Sequence, residues 1–225
     1  VQRYLAVLFH DVGGIHMKWT EWKQYKARQM TIIKSRQCAV LVPLVNIKGE
    51  QCLAFQVRSR KLDWQPGDIC FPGGSLEVDD QTVAAGAIRE TVEELGISES
   101  QIHLLGPLDY VVSPVGVTVW PVVACLDTSD FKLSREEVDH VFTVPLTWLL
   151  QHEPQQAVMQ FGTRAVSPFP HDLLPQVAPD WREHGTYAVY LYRYGAYTIW
   201  GITAAIVKNF VERYQAIEFK DDKMV

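Results

Sequence analysis

Three glutamates on one turn of a helical stretch, Glu90, Glu93 and Glu94, restrict what this chain can fold into more than any other feature. At i, i+3 and i+4 on a helix they share one face, and like charges at those spacings cost about 0.2–0.5 kcal/mol per pair. Gly86, Ala87 and Ile97 on that face bring no cation, and Arg89, one turn before Glu93, is the basic residue at hand. Either the turn is a solvated acidic face, or the fold supplies a counter-charge. Hard divalent cations such as Mg²⁺ or Mn²⁺ take carboxylate oxygens and would remove the conflict.

The helix is legible without that hypothesis. Ala84, Ile88, Thr91 and Leu95 recur at the spacing of a buried stripe, which places the glutamates on roughly the opposite side and displays them away from the core. Asp79 and Asp80 stand where the helix dipole favours negative charge, and Gly96 is placed as the left-handed residue that ends the helix. Upstream, Phe71-Pro72-Gly73-Gly74 reads as a turn.

Taken together, Phe71-Pro72-Gly73-Gly74 and Arg89-Glu90-Thr91-Val92-Glu93-Glu94-Leu95-Gly96-Ile97 resemble the Nudix box. That box is the signature of hydrolases that cleave a nucleoside diphosphate linked to another group. At about 5% usage per position, a string this specific does not arise by chance. The resemblance implies an α/β fold, a Nudix-type α/β/α sandwich with a mixed β-sheet, in which a strand, a glycine loop and this helix form the catalytic unit. One spacing departs, because Gly74 and Arg89 are one residue further apart than the box allows. Counting back from Arg89 puts the remaining acidic position at Gln81, whereas counting forward from Gly74 puts it at Asp80.

The same expansion is a feature of the coenzyme A pyrophosphatase branch, in which Glu77 and Asp80 take the acidic positions. Ala54-Phe55-Gln56-Val57-Arg58-Ser59, Gly67 and Phe71-Pro72-Gly73-Gly74 also resemble that branch's second motif, with two departures: Gln56 replaces a threonine and Asp63 replaces an arginine. Ser113-Pro114-Val115-Gly116, Glu137-Val138 with Val144-Pro145-Leu146, and Trp200-Gly201-Ile202-Thr203-Ala204 continue the likeness, which runs from about Cys38 to Tyr214.

From this resemblance follow the expected site residues. Glu90, Glu93 and Glu94, with a carbonyl near Gly74, are expected to hold Mg²⁺ or Mn²⁺. Glu93 or Glu94 is the first choice of general base and Glu137 the second, although Glu137 serves equally as a structural partner of a basic side chain. Arg89 is expected to orient a helix glutamate. A diphosphate entering a site crowded with carboxylates binds only through cations and basic side chains. Arg58, with Arg60 or Lys61, is therefore the candidate phosphate clamp, and Gly67, Gly73 and Gly74 let backbone approach closely. Coenzyme A or an acyl-CoA leads as substrate, with 3′,5′-ADP and 4′-phosphopantetheine as products. ADP-ribose or another nucleoside diphosphate conjugate is the alternative, and a non-catalytic nucleotide sensor is the alternative of another class.

Composition limits the rest. A chain of 225 residues with 48% apolar content can bury one substantial core. Its net charge of −5 argues against nonspecific nucleic-acid binding. Cys38, Cys52, Cys70 and Cys125 lie far apart in apolar runs and read as reduced core residues. The histidines show no H-x-H or H-E-x-x-H spacing. No apolar run reaches the ~18 residues of a membrane span and no secretory leader is seen, so the cytoplasm is the expected compartment and a small molecule the expected partner.

The expected organisation is an N-terminal extension over 1–36, a Nudix domain over 37–216 and a tail over 217–225. In the extension Tyr4 to Phe9 is apolar and Trp19 to Gln29 reads as a short helix. Expected strands are Cys38–Ile47, Cys52–Val57, Leu104–Val112, Val117–Leu126, Tyr187–Tyr194 and Tyr197–Trp200, followed by a helix marked by Ile202, Ile206, Phe210 and Tyr214. The proline-rich segment 155–185 is too long for a simple connection and is expected to be a lid or a surface excursion. Tyr190, Tyr192 and Tyr194 serve either a homodimer surface or a packed sheet face.

Overall fold

Strand β1 (Arg36–Ile47) is apolar on both sides of its pleat, as a strand covered on two faces must be. In the computed structural model, which describes residues 35–221, it occupies the centre of an eight-stranded sheet. The expectations for Tyr4 to Phe9 and Trp19 to Gln29 lie outside the described residues. β1 turns back at Lys48-Gly49, both at positive φ, into antiparallel β2 (Glu50–Arg58). Two such residues are what a tight primed hairpin turn demands.

On its other side β1 runs parallel to β7 (Val117–Leu126), which makes the sheet mixed. β3 (Ile69–Cys70) and β8 (Val138–Pro145) pair with β2, and β4 (Gly73–Ser75) pairs with the start of β1. β5 (Ile102–Pro107) and β6 (Val111–Ser113) pair with β7. The expected single strand over Leu104–Val112 is thus two strands. Between them Asp109 is held by Arg213 and Asn209, and the backbone of Leu108 bonds to Pro121.

Alternation along β1 and β2 sends side chains into two separate cores. Ala39, Leu41, Val45 and Ala54 face helix α1 (Val83–Leu95), whose Ala87 and Leu95 are buried there. Val42, Leu53, Phe55 and Phe142 face the opposite side, where α3 (Gly201–Asp221) buries Ile206, Val207 and Phe210 beside α2 (Leu146–Gln151). Each fully buried Leu or Phe contributes roughly 1.5–3 kcal/mol of transfer free energy. Helix, mixed sheet and helix form the expected Nudix-type α/β/α sandwich.

A second sheet of three strands, in the order β11 (Tyr197–Trp200), β10 (Arg182–Tyr194), β9 (Gln155–Thr163), adjoins the α3 side. A line of rings ties it to the first: Phe71 stacks on Phe55 at 4.9 Å, Phe55 on Phe142 at 5.4 Å, and Phe142 on Tyr197 at 3.7 Å. Tyr192 is buried in the core, with Tyr190 and Tyr194 packed against it, so these tyrosines form a packed sheet face. The ends of segment 155–185, expected to be a lid or a surface excursion, are the paired strands β9 and β10. β9 is exposed along nearly its whole length, so no burial pattern marked it as a strand. Its ladder is held by backbone hydrogen bonds, to which composition is nearly blind.

Candidate active site

Thr82, rather than Asp79 or Asp80, starts α1: its Oγ1 accepts from Ala85 N at 3.1 Å. This is an ordinary N-cap. Gly96 ends the helix in the left-handed region at φ 62, as expected, with its N–H on the Val92 carbonyl.

The face between these ends is buried differently from the sequence expectation. Gly86, Ala87, Thr91, Glu94 and Leu95 are the buried residues, and Glu94 is only 4% exposed. The glutamates are therefore not displayed together away from the core. The reason is tertiary, since β4 pairs with β1 in the sheet on which α1 packs, so that sheet and its glycine loop cover Glu94 together with Ala87, Thr91 and Leu95. The approach is close. A Cβ on Gly74 would stand 2.4 Å from the Glu90 carboxyl carbon, and one on Gly86 would stand 2.9 Å from Asp80 Oδ2.

Arg89 resolves the spacing question. Its Nε donates to Asp80 Oδ1 at 3.2 Å and its Nη2 to Asp80 Oδ2 at 3.1 Å, a two-pronged pair. Asp80, and not Gln81, is thus the acid that meets the arginine. Arg89 also donates to Glu90 Oε1 at 3.0 Å, to Glu93 Oε2 at 3.5 Å and to the Ser75 carbonyl at 3.2 Å. The pair with Asp80 holds that carboxyl below the usual carboxylate range.

One cavity of about 430 Å³ opens beside this helix. It is lined by Glu77, Glu90, Glu94 and Glu137, by Arg36 and Arg58, by Gly73 and Gly74, and by Leu62, Trp64 and Gln65. Glu137 reaches it because β8 begins where β2 ends: Ser59 N donates to the Glu137 carbonyl at 2.8 Å. Arg58 is oriented by its Nε and Nη2, which both donate to the Trp64 carbonyl, at 3.3 and 3.2 Å.

Several sequence candidates are not brought to this cavity. Glu93 is 57% exposed at its side chain and lies on the Arg89 side. Lys61 is paired with Glu136 at 2.6 Å on the surface, and Arg60 is exposed. Gly67 lines a smaller neighbouring cavity with His140, Tyr197 and Trp200. Segment 155–185 contributes no lining residue. Conversely, sequence reasoning missed Arg36, which it had left in the extension. Arg36 opens β1, and its N–H bonds to the Gly116 carbonyl at 2.9 Å. That parallel pairing joins segments far apart in sequence, and no local motif announces it.

Desolvation dominates the electrostatics. Burial pushes the Glu94 carboxyl up to about 7, opposed by the Gly73 N–H and the Gln56 amide and reinforced by Glu90 and Glu137. Burial raises Glu90 as well, with Arg89 opposing. Such shifts mark carboxylates short of counter-charge. As arranged, no three His, Cys, Asp or Glu side chains among the described residues are grouped closely enough to hold a metal ion. The donors nonetheless fit a hard divalent cation in kind, all being oxygens, and Glu90, Glu94 and Glu137 line the same cavity. All four cysteines are free, and no helix among the described residues is long and apolar enough to cross a membrane.

The chain is similar to known proteins over most of its length. The NUDIX domain family matches residues 35–167. The chain is 35% identical over 174 residues to the mitochondrial coenzyme A diphosphatase NUDT8 of Homo sapiens, covering 76% of this chain and 66% of that protein. It is 33% identical over 192 residues to the Mus musculus protein of the same name, covering 83% and 82%. It is 37% identical over 133 residues to the peroxisomal coenzyme A diphosphatase NUDT7 of Mus musculus, covering 58% and 56%. The chain thus spans about two thirds of the human relative's length. Because the domain match runs from the first strand through the glycine loop, α1 and the Glu137 loop, the chain belongs to the Nudix hydrolase family.

Proposed function

We propose that this Nudix pyrophosphohydrolase cleaves the diphosphate linkage of coenzyme A or an acyl-CoA, releasing 3′,5′-ADP and 4′-phosphopantetheine. The observation that carries the proposal is the cavity itself, in which Arg36 and Arg58 share one wall system with Glu77, Glu90, Glu94 and Glu137. A wholly acidic cavity would repel a diphosphate, and a wholly basic one would have no means of activating water. The coenzyme A diphosphatases among the relatives support the choice of substrate.

In this reading Glu90 and Glu94, with the backbone at Gly74, would hold Mg²⁺ or Mn²⁺. Such a cation, when bound, polarises phosphoryl oxygens and lowers the pKa of a coordinated water. The chain's own residues do the rest. Arg36 and Arg58 bind non-bridging phosphate oxygens, Arg58 being held in place by the Trp64 carbonyl, which accepts from its Nε and Nη2. Glu137 accepts the proton of the attacking water on a carboxylate oxygen, since it lines the cavity and its side chain accepts no hydrogen bond among the described residues. Arg89 keeps Glu90 and Asp80 in place without touching substrate. Glu93 accepts from Arg89 outside the cavity.

The test is product release from coenzyme A, ADP-ribose and diadenosine polyphosphates with Mg²⁺ or Mn²⁺, comparing wild type with Glu94→Gln. Preferential cleavage of coenzyme A that the substitution abolishes supports the proposal. Preferential cleavage of another compound moves the specificity, and tight binding without cleavage makes the protein a sensor.

A further inference from the structure

We infer that Gln56 is a positioning residue that presents Glu94 to the cavity through one carboxylate oxygen. Three separate elements meet at the other oxygen. Gln56 Nε2, from β2, donates to Glu94 Oε2 at 2.9 Å in a buried contact, and Gly73 N, from β4, donates to the same Oε2 at 2.8 Å. Oε2 is thereby occupied from two directions, which leaves Oε1 to face a ligand. Glu94 is a long side chain with rotatable bonds, and a single backbone donor would leave its carboxylate free to swing.

The amide orientation follows from the same contacts. Gln56 is 1% exposed, and its Oε1 has no hydrogen-bond partner. Leaving a buried carbonyl oxygen unpaired costs about 1–3 kcal/mol. A flipped amide would instead point that oxygen at a carboxylate and lose the contact to Glu94. Cys70 Sγ, 3.6 Å from Nε2, accepts weakly and favours the same orientation.

The inference rests on Glu94 being a cation ligand, so its test reads cation binding directly. Mn²⁺ titrations followed by electron paramagnetic resonance compare wild type, Gln56→Met, Glu94→Gln and the double variant. Gln56→Met is expected to weaken Mn²⁺ binding roughly tenfold, the size of one lost hydrogen bond to a charged group. Excess Mn²⁺ should restore its kcat, which a merely structural defect would not allow. The double variant should bind no more weakly than Glu94→Gln alone, because both changes remove one interaction. Unchanged Mn²⁺ affinity in Gln56→Met, or losses that simply add, overturn the inference while leaving Glu94 as a ligand. Absence of Mn²⁺ binding by wild type overturns both. Should Gln56→Met not fold, the wild-type Gln56 side-chain amide decides by NMR. Slow hydrogen exchange supports the bridge to Glu94, and exchange as fast as in an exposed glutamine overturns it.

Discussion

The α1 turn with its glycine loop and the β9–β10 hairpin both hang on the central domain, yet they are built on opposite terms. The first buries charge: Glu94 is 4% exposed and Glu90 lies against Gly74 with no room for another methyl group. The second exposes apolar surface: Val158 is 63% exposed and Met159 47% exposed. A buried carboxylate is sensitive to every neighbouring donor, whereas an exposed strand side chain has few partners to lose. The turn should therefore be intolerant of small changes, and the hairpin permissive.

The largest effect expected is on catalysis. Glu94→Gln should lower coenzyme A cleavage on the order of 10³-fold, within the range that loss of a proton- or charge-handling group produces. Val158→Thr in β9 should stay within about twofold of wild type. Steady-state kinetics on the pair would break the comparison if both lost activity alike.

Next comes backbone tolerance. A Cβ at Gly73 would lie 2.3 Å from the Ala39 carbonyl oxygen and 2.6 Å from Val40 Cα, at φ 150. Gly73→Ala should therefore destabilise by roughly 3–4 kcal/mol in urea denaturation. Gly195, at the β10–β11 turn, is at φ 58 but meets nothing within 4 Å, so Gly195→Ala should cost about 1–2 kcal/mol for its left-handed backbone alone.

The pH dependence sharpens the charge side. Glu94 titrates at about 7 in the folded protein against 4.5 for the ordinary side chain. Between those values Glu94 holds more proton in the folded state than in the unfolded one, so its contribution to stability is fully present below about pH 4.5 and is lost as pH rises through 7. In chelator, with no divalent ion, this contribution should amount to roughly 3 kcal/mol across the window, and Glu94→Gln should remove it. Equal slopes for the two proteins by thermal or chemical melts would mean that Glu94 is solvated after all. The smallest effect is expected at Met159→Thr on the hairpin, within about 0.5 kcal/mol at every pH.

Legibility in the sequence followed the same division. The strands β1, β2, β7 and β11 and the helices α1 and α3 were readable because burial writes apolar periodicity, and the helix end at Gly96 because a left-handed residue favours glycine, whereas the six-residue α2 was too short to show a period. β9 was not readable, since a strand exposed along its length carries no such periodicity. At the site, Glu90, Glu94, Glu137, Arg58, Gly73 and Gly74 were named from sequence and line one cavity. Glu93, Arg60, Lys61 and Gly67 were named too, but neighbouring residues in a motif need not point the same way. Arg36 escaped because its neighbours at the cavity come from a distant strand.

By itself, then, the sequence determined the family, the two-layered burial of the central strands and the presence of an acidic turn beside a glycine loop, all written in local order and spacing. Only the tertiary structure decided that Asp80 takes Arg89, that Glu94 is buried while its neighbour Glu93 is exposed, and that Gln56 closes on Glu94. Those outcomes depend on which segments meet in space. A side chain's charge and hydrogen-bonding capacity are intrinsic, whereas its desolvation and its partners are supplied by distant elements.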